Sequence, residues 1–189
     1  MYDVVKYVID SNVLIESHRF YYHSDFFREF WDYMSVLIER HIVFIPPEVA
    51  LEIGVGKDFL SEFWLKNIQT MPVDKDESMF AEVVKIVTEK YKPEKVQEFL
   101  QGADPHVIAW AIQLEAYIVT NEKPIGIYNM SIDKDGKYVS SIKIPDVVML
   151  LKKEGKKVPH GVLQLWDIVR GMKETFLVEK PYKLGEDVK

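Results

Sequence analysis

Four acidic side chains, Asp10, Glu52, Asp104 and Glu122, each stand just past an apolar run or near the start of a helical one. Brought to one point, such carboxylates offer several hard oxygen ligands, the donor set that a divalent cation needs. Each alone has a plainer account. Asp10-Ser11-Asn12 suits any strand-to-helix turn, because all three residue types favour turns and caps. Asp104-Pro105 joins a preferred N-cap to a preferred first helical residue. Glu48 and Glu52 share one helical face by their i, i+4 spacing, and for Glu48 a solvated face is sufficient explanation. Whether the acids do chemistry depends on whether the fold converges them.

The elements that would position them read as follows. Val4, Val5, Tyr7, Val8 and Ile9 form a nearly continuous apolar run, the pattern of a strand covered on both faces in a parallel sheet. Ser11 or Asn12 then caps a helix through Val13, Leu14 and Ile15, leaving Asp10 at the sheet's carboxyl edge. Phe27, Phe30, Trp31 and Met34 recur at helical spacing and predict a core-facing helix. Tyr21 and Tyr22 stand outside that period and, beside His18, Arg19 and His23, suit an exposed loop that touches a substrate. Ile42-Val43-Phe44-Ile45 predicts a second strand, closed by Pro46-Pro47 at a helix start, with Gly54 and Gly56 ending that helix. Helices are predicted through Phe59–Leu65, Met79–Tyr91, Glu94–Leu100 and Val107–Leu114, and then a strand over Tyr117–Thr120 that ends at Asn121-Glu122. Residues 125–144 read as a hairpin or excursion leading to a strand at Ser141–Ile144, and Pro145-Asp146 opens another helix. Asp133 to Lys137 mimics a calcium loop only superficially, since its glycine comes too early and no closing Glu follows. Leu163, Leu165, Trp166, Ile168 and Val169 predict a last helix, and Lys180–Lys189 a weakly ordered end.

This order, β-α, β-α, helices, α-β, β-α, predicts an α/β fold in which the four acids meet on one rim of a doubly wound sheet. The chain has 189 residues, a length that suits one domain: a body over residues 1–151 and a helical C-terminal extension, 152–189, packed on it. Zero cysteines remove disulfides, thiolate nucleophiles and cysteine-type zinc sites. The five histidines lack zinc-binding spacing and read as surface or packing residues. A net charge of −6 and a pI near 5.4 argue against coating nucleic acid through bulk positive charge, yet an acidic metal site lowers the pI whatever the substrate. The N-terminus carries no signal-like segment and no apolar run reaches membrane-spanning length, so a cytoplasmic protein without a membrane partner is expected.

Over roughly Tyr7 to Leu151 the chain resembles the PIN domain superfamily of metal-dependent nucleases, in layout one of its longer prokaryotic branches related to toxin nucleases. The resemblance rests on Val8-Ile9-Asp10-Ser11-Asn12-Val13-Leu14-Ile15, Pro46-Pro47-Glu48-Val49-Ala50-Leu51-Glu52-Ile53, Ala103-Asp104-Pro105 running on to Ala109 and Ala111, and Ile118-Val119-Thr120-Asn121-Glu122. It implies a three-layer α/β/α fold with a mainly parallel sheet. It also implies that Asp10, Glu52 (rather than Glu48), Asp104 and Glu122 are metal ligands and catalytic acids, with Ser11, Asn12, Thr120 and Asn121 shaping the site. Glu122 departs from the Asp usual there, and Asn121 can share its role. The implied activity is endoribonucleolytic: one or two Mg²⁺ or Mn²⁺ ions activate a water for in-line attack on phosphorus. An antitoxin protein and a homodimer are the implied partners beside RNA.

Two other readings use the same residues. A phosphotransferase of the haloacid dehalogenase type also begins with Asp after a strand, but wants a second Asp where Asn12 stands. A non-catalytic PIN-like module would keep the acids as caps and bind RNA or protein. Lys152 to Lys173 holds six basic residues against two acidic ones, so Lys152, Lys153, Lys156 and Lys157, with Arg19, are the candidates for guiding phosphates to the rim. A solvated helix end explains the same run.

Overall fold

The computed structural model describes residues 5–54, 58–67, 71 and 73–169. Val4, Gly56, Arg170, Lys173 and the 180–189 tail of the expectations above lie outside them.

β1 (Tyr7–Ile9), β2 (Val43–Phe44), β3 (Tyr117–Val119) and β4 (Gly161–Leu163) form one parallel sheet in the order β2-β1-β3-β4. Its two middle strands bury Val8, Ile9, Ile118 and Val119 completely, which is why those segments are apolar without alternation. The chain moves one way from β1 to β2, then back across β1 to β3. Right-handed crossovers therefore send the connecting helices to opposite faces. α2 (Arg28–Glu39) packs on β2 and buries Phe30, Trp31, Met34, Leu37 and Ile38. On the other side α7 (Asp104–Gln113) lies on β1 and β3 and packs with α5 (Glu77–Lys90) and α8 (Ile144–Lys153). Seven of the ten residues of α7 are buried, Ala109 and Ala111 among them, as a helix between a sheet and further helices requires. This is a three-layer α/β/α architecture with an all-parallel sheet.

Shorter helices complete the layers: α1 (Ser11–Glu16), α3 (Pro47–Ile53), α4 (Phe59–Lys66) and α6 (Pro93–Gln101). α3 begins with Pro47 in its first turn and ends at Gly54, as its sequence suggests. α1 passes directly into a π-helical turn, Ser17–Tyr21, a wider coil that re-aims the side chains following it. Among the described residues no helix is long and apolar enough to cross a membrane.

Several local expectations are corrected. Ser141–Ile144 is not a strand: Lys143 is the extended N-cap of α8, and Ile144 is already helical, with Pro145 in the first turn, where its missing N–H costs no intrahelical bond. Among the described residues the 125–144 excursion pairs through single bridges, Ile132 to Tyr138 and Tyr91 to Tyr138, and Asp133 accepts the backbone amides of Asp135 and Lys137 in its turn. Leu163 belongs to β4 rather than to a helix, which begins after it and covers 165–169. The extension after residue 151 thus adds an edge strand to the sheet rather than helix alone.

Candidate active site

β1 and β3 lie side by side where the strand order reverses, the place where open α/β sheets form a crevice beyond their carboxyl ends. Asp10 follows β1 and Thr120 follows β3. Asp10, only 1% exposed, occupies the N-cap position of α1 in extended conformation, yet its side chain does not cap the helix. Neither Ser11 nor Asn12 is the cap. The Asp10 carboxylate turns across the seam, where Oδ2 accepts a 2.8 Å bond from the Thr120 hydroxyl and Oδ1 faces Ser11 Oγ at 3.5 Å. The same Thr120 oxygen accepts from Asn12 Nδ2 at 3.2 Å and from the Glu122 amide at 3.1 Å. One donor and two acceptor directions exhaust a hydroxyl's capacity. Asn12 Oδ1 accepts from the Asn121 amide at 3.1 Å, and Asn121 Nδ2 donates to Glu16 Oε2 at 2.7 Å. Asp10, Asn12, Thr120 and Asn121 therefore stitch the two strand ends together, while Ser11 reaches only its neighbour Asp10.

The other acids come from helices and from the β3 exit. Asp104 is the first residue of α7, not its cap; that place is held by Ala103, whose amide donates to Glu52 Oε1 at 2.8 Å. Freed from capping, the Asp104 carboxylate has no hydrogen-bond or ion-pair partner among the described residues. Glu122 has two: Oε1 meets Lys143 Nζ at 2.6 Å and Oε2 accepts the Ile144 amide at 2.8 Å. That clasp ties the β3 exit to the start of α8.

Charge shows that the four acids share one field. Burial pushes Asp10 up to about 6, against the pull of the Thr120 hydroxyl and with a further push from the charges of Glu122 and Glu52. Asp104 rises to about 7, through burial first and then repulsion from Asp10, Glu122 and Glu52, with Lys143 opposing. Such repulsion between hard oxygens is what a divalent cation relieves, so the donor chemistry fits Mg²⁺ or Mn²⁺. As the side chains lie, no three acids or histidines among the described residues form a ready cation cage. The reason is visible: Glu52 is turned to Ala103, and Glu122 to Lys143 and Ile144.

Glu48, one turn before Glu52, is not a solvated side chain. It pairs with Lys75 at 2.8 Å, lies 3.3 Å from His106 and accepts from Trp110 Nε1 at 3.3 Å, well occupied away from the rim acids. His18 stacks on Phe59 and His106 on Phe80, both as packing residues. The basic run is not gathered to the rim. From Ile144, beside Glu122, α8 carries Lys152 about 12 Å away at 1.5 Å per residue. There Lys153 stands over the Tyr128 ring and Lys156 pairs with Glu82 at 3.0 Å. Arg19 sits exposed on the π-helical turn.

Three residues that sequence reasoning passed over matter here. Lys143 is the cation at the rim, hidden by its placement inside a supposed strand. Asp146, fully buried, accepts the amides of Ile125 and Gly126 at 2.9 Å each and so fixes the segment leaving Glu122. Its position after Pro145 at a helix start repeats the signal of the other acids in mirror order. Trp166, which the sequence marks only as one position of the last helix, is large and exposed beyond β4.

Residues 7–153, a span that holds all four acids and ends with α8, match the family described as a domain of unknown function, DUF4411, and the chain belongs to that family. No curated protein and no solved structure matches the chain.

Proposed function

We propose that this member of the DUF4411 family is a divalent-metal-dependent endoribonuclease of PIN type, with Asp10, Glu52, Asp104 and Glu122 as the acids that hold Mg²⁺ or Mn²⁺. The observation that carries the reading is the pair of charge-stressed carboxylates at the sheet's switch point, Asp10 buried and Asp104 half-buried. A bound cation would supply an activated water and neutralise charge at the leaving 3′ oxygen. The chain's own residues do the rest. Thr120 and Asn12 hold Asp10 in a fixed direction; Glu52 and Glu122 would have to leave Ala103, Lys143 and Ile144 to join the donor set, and Lys143, so released, would meet the phosphate.

Attack by water leaves a 5′-phosphate and a 3′-hydroxyl, because the 2′-hydroxyl takes no part. Incubation of wild type and Asp10→Asn with mixed single-stranded RNA and Mg²⁺ or Mn²⁺ tests the reading. The amide oxygen of Asn still accepts the Thr120 hydroxyl, so cleavage should vanish while the fold persists. Equal cleavage by both proteins, or a 2′,3′-cyclic phosphate product, refutes it. RNA as substrate, an antitoxin or second copy as partner, and a cytoplasmic setting belong to this reading through the resemblance alone.

One observation favours a non-catalytic module instead: both Glu122 oxygens are already satisfied inside the chain. Such a module binds RNA or protein without a divalent ion, and Mn²⁺ titration separates the two.

A further inference from the structure

A cavity of about 280 Å³ opens beside the acidic rim, between Tyr21, Tyr22, Asn121, Lys123, Gln164 and Trp166. We propose that it receives an unpaired nucleobase of the strand whose phosphate lies against the rim acids; the idea rests on the nucleic-acid reading above and names where the substrate's base goes. Its walls follow the carboxyl ends of three neighbouring strands. Tyr21 and Tyr22 come after β1 and α1, Asn121 and Lys123 after β3, and Gln164 and Trp166 after β4. The cavity is thus the next station along the same crevice as Asp10 and Glu122.

Asn121 is the shared wall. Its amide is fixed to Asn12 on the rim side, its side chain to Glu16 on the cavity side, and Glu122 is its chain neighbour. A nucleotide bound across Asn121 has its phosphate and its base on opposite sides of one residue.

The walls have the chemistry of a stacking site. Trp166 is 55% exposed and Tyr21 52% exposed, so both leave ring surface open to a stacked base. Tyr22 is held in place, its ring stacked on Phe30 at 4.2 Å and its carbonyl accepting Trp31 Nε1 at 2.7 Å, while Trp166 stands 6.4 Å from it. The π-helical turn is the device that brings both tyrosines here, and such turns recur at functional sites. Side-chain amides of Asn121 and Gln164 and the Glu16 carboxylate offer acceptors and donors to a base edge, and Lys123 offers a cation to the backbone. The volume lies near the lower end for small-ligand sites, about 300 Å³, which suits one ring system and not a peptide helix.

The test is binding of a short fluorescein-labelled single-stranded RNA to the full chain in EDTA, read by anisotropy, with the RNA also scanned by single abasic substitutions. Wild type should bind, one abasic position should weaken binding about tenfold, a loss of the size of one base-aromatic stack, and Trp166→Ala should bind about tenfold more weakly with no further loss at that position. Trp166→Leu, which keeps apolar bulk but has no π face, should behave like Trp166→Ala and guards against a folding defect; Tyr21→Leu should lose part of the same increment. Wild type that does not bind the RNA, or Trp166→Ala and Trp166→Leu that retain wild-type affinity and abasic sensitivity, overturns the subsite. The nuclease reading fails separately. If Mg²⁺ or Mn²⁺ elicits no cleavage while the Trp166 effect holds, the subsite stands without it; if cleavage occurs and the Trp166 variants bind normally, the subsite alone falls.

Discussion

The Thr120 hydroxyl donates to the Asp10 carboxylate at 2.8 Å across 110 positions of sequence, and this bond joins the ends of the two middle strands. Both side chains are almost wholly buried, so the bond is formed out of water, where an unmade partner is costly. The same oxygen receives Asn12 and the Glu122 amide, so Thr120 organises the rim although it carries no charge.

Replacing Thr120 by Val keeps the shape and removes the hydroxyl. Asp10 loses its donor, and Asn12 and the Glu122 amide lose their acceptor. Unfolding by urea should show a loss of about 1–3 kcal/mol for Thr120→Val, while Thr120→Ser stays near wild type. Cleavage should follow the same order if Asp10 needs its fixed direction. A stable Thr120→Val would mean that the seam is held by packing alone.

The raised values of Asp10 and Asp104 carry a definite sign. A carboxyl whose folded value lies above its ordinary one favours the native state in its neutral form. That contribution is full below the ordinary value, near 4, and is lost as pH rises through about 6 for Asp10 and about 7 for Asp104. In EDTA, Asp104→Asn should therefore equal wild type below about pH 4, pull ahead as pH rises towards 7 and keep that lead above it, since the amide never acquires the charge. Urea titrations of both proteins across pH check this, and a stability gap independent of pH contradicts it. Adding Mn²⁺ should then stabilise wild type and leave Asp104→Asn nearly unmoved.

If the rim holds a divalent ion as proposed, Lys143 competes for its place. Its ammonium sits 2.6 Å from Glu122 and lowers the cost of charge on Asp104. Lys143→Gln should free Glu122 and deepen the negative field, so calorimetry with Mn²⁺ should show affinity raised a few-fold, on the order of 1 kcal/mol for a partly exposed pair. RNA cleavage should nevertheless fall if Lys143 meets the phosphate. Weaker metal binding in Lys143→Gln would show that the lysine helps to assemble the site rather than filling it.

The rim was legible because two local rules coincide there: continuous apolar runs such as Val8-Ile9 and Ile118-Val119 mark buried parallel strands, and an acid follows each. What escaped was tertiary. β4 has only three residues, all half-buried at the sheet's edge, and its Leu163 falls into the helical spacing of Leu165 and Trp166. Ser141–Ile144 alternates like a strand, but its neighbour Pro145 and the α8 N-terminus decide its shape. Glu48 and Glu52 look alike in sequence, and only the approach of Lys75 and Trp110 on one side and Ala103 on the other separates them.

Which cations could guide RNA, on the proposed reading, is also decided by that tertiary placement. Lys152, Lys153, Lys156 and Lys157 dominate the charge pattern, yet α8 carries them away from the rim, and Lys156 is committed to Glu82. Lys123 and Lys143, unremarkable in sequence, stand on either side of Glu122, in the cavity and at the rim. Substituting the four tail lysines together by Gln should cost at most about 1 kcal/mol in stability through the Glu82 pair and leave the salt slope of RNA binding unchanged. Lys123→Gln alone should weaken RNA binding and flatten that slope by about one unit, as expected for one lost phosphate contact. Affinities measured over a range of salt concentrations decide between them. If the tail variant flattens the slope and Lys123→Gln does not, the strand leaves the rim along α8, and the crevice beyond β4 is not its path.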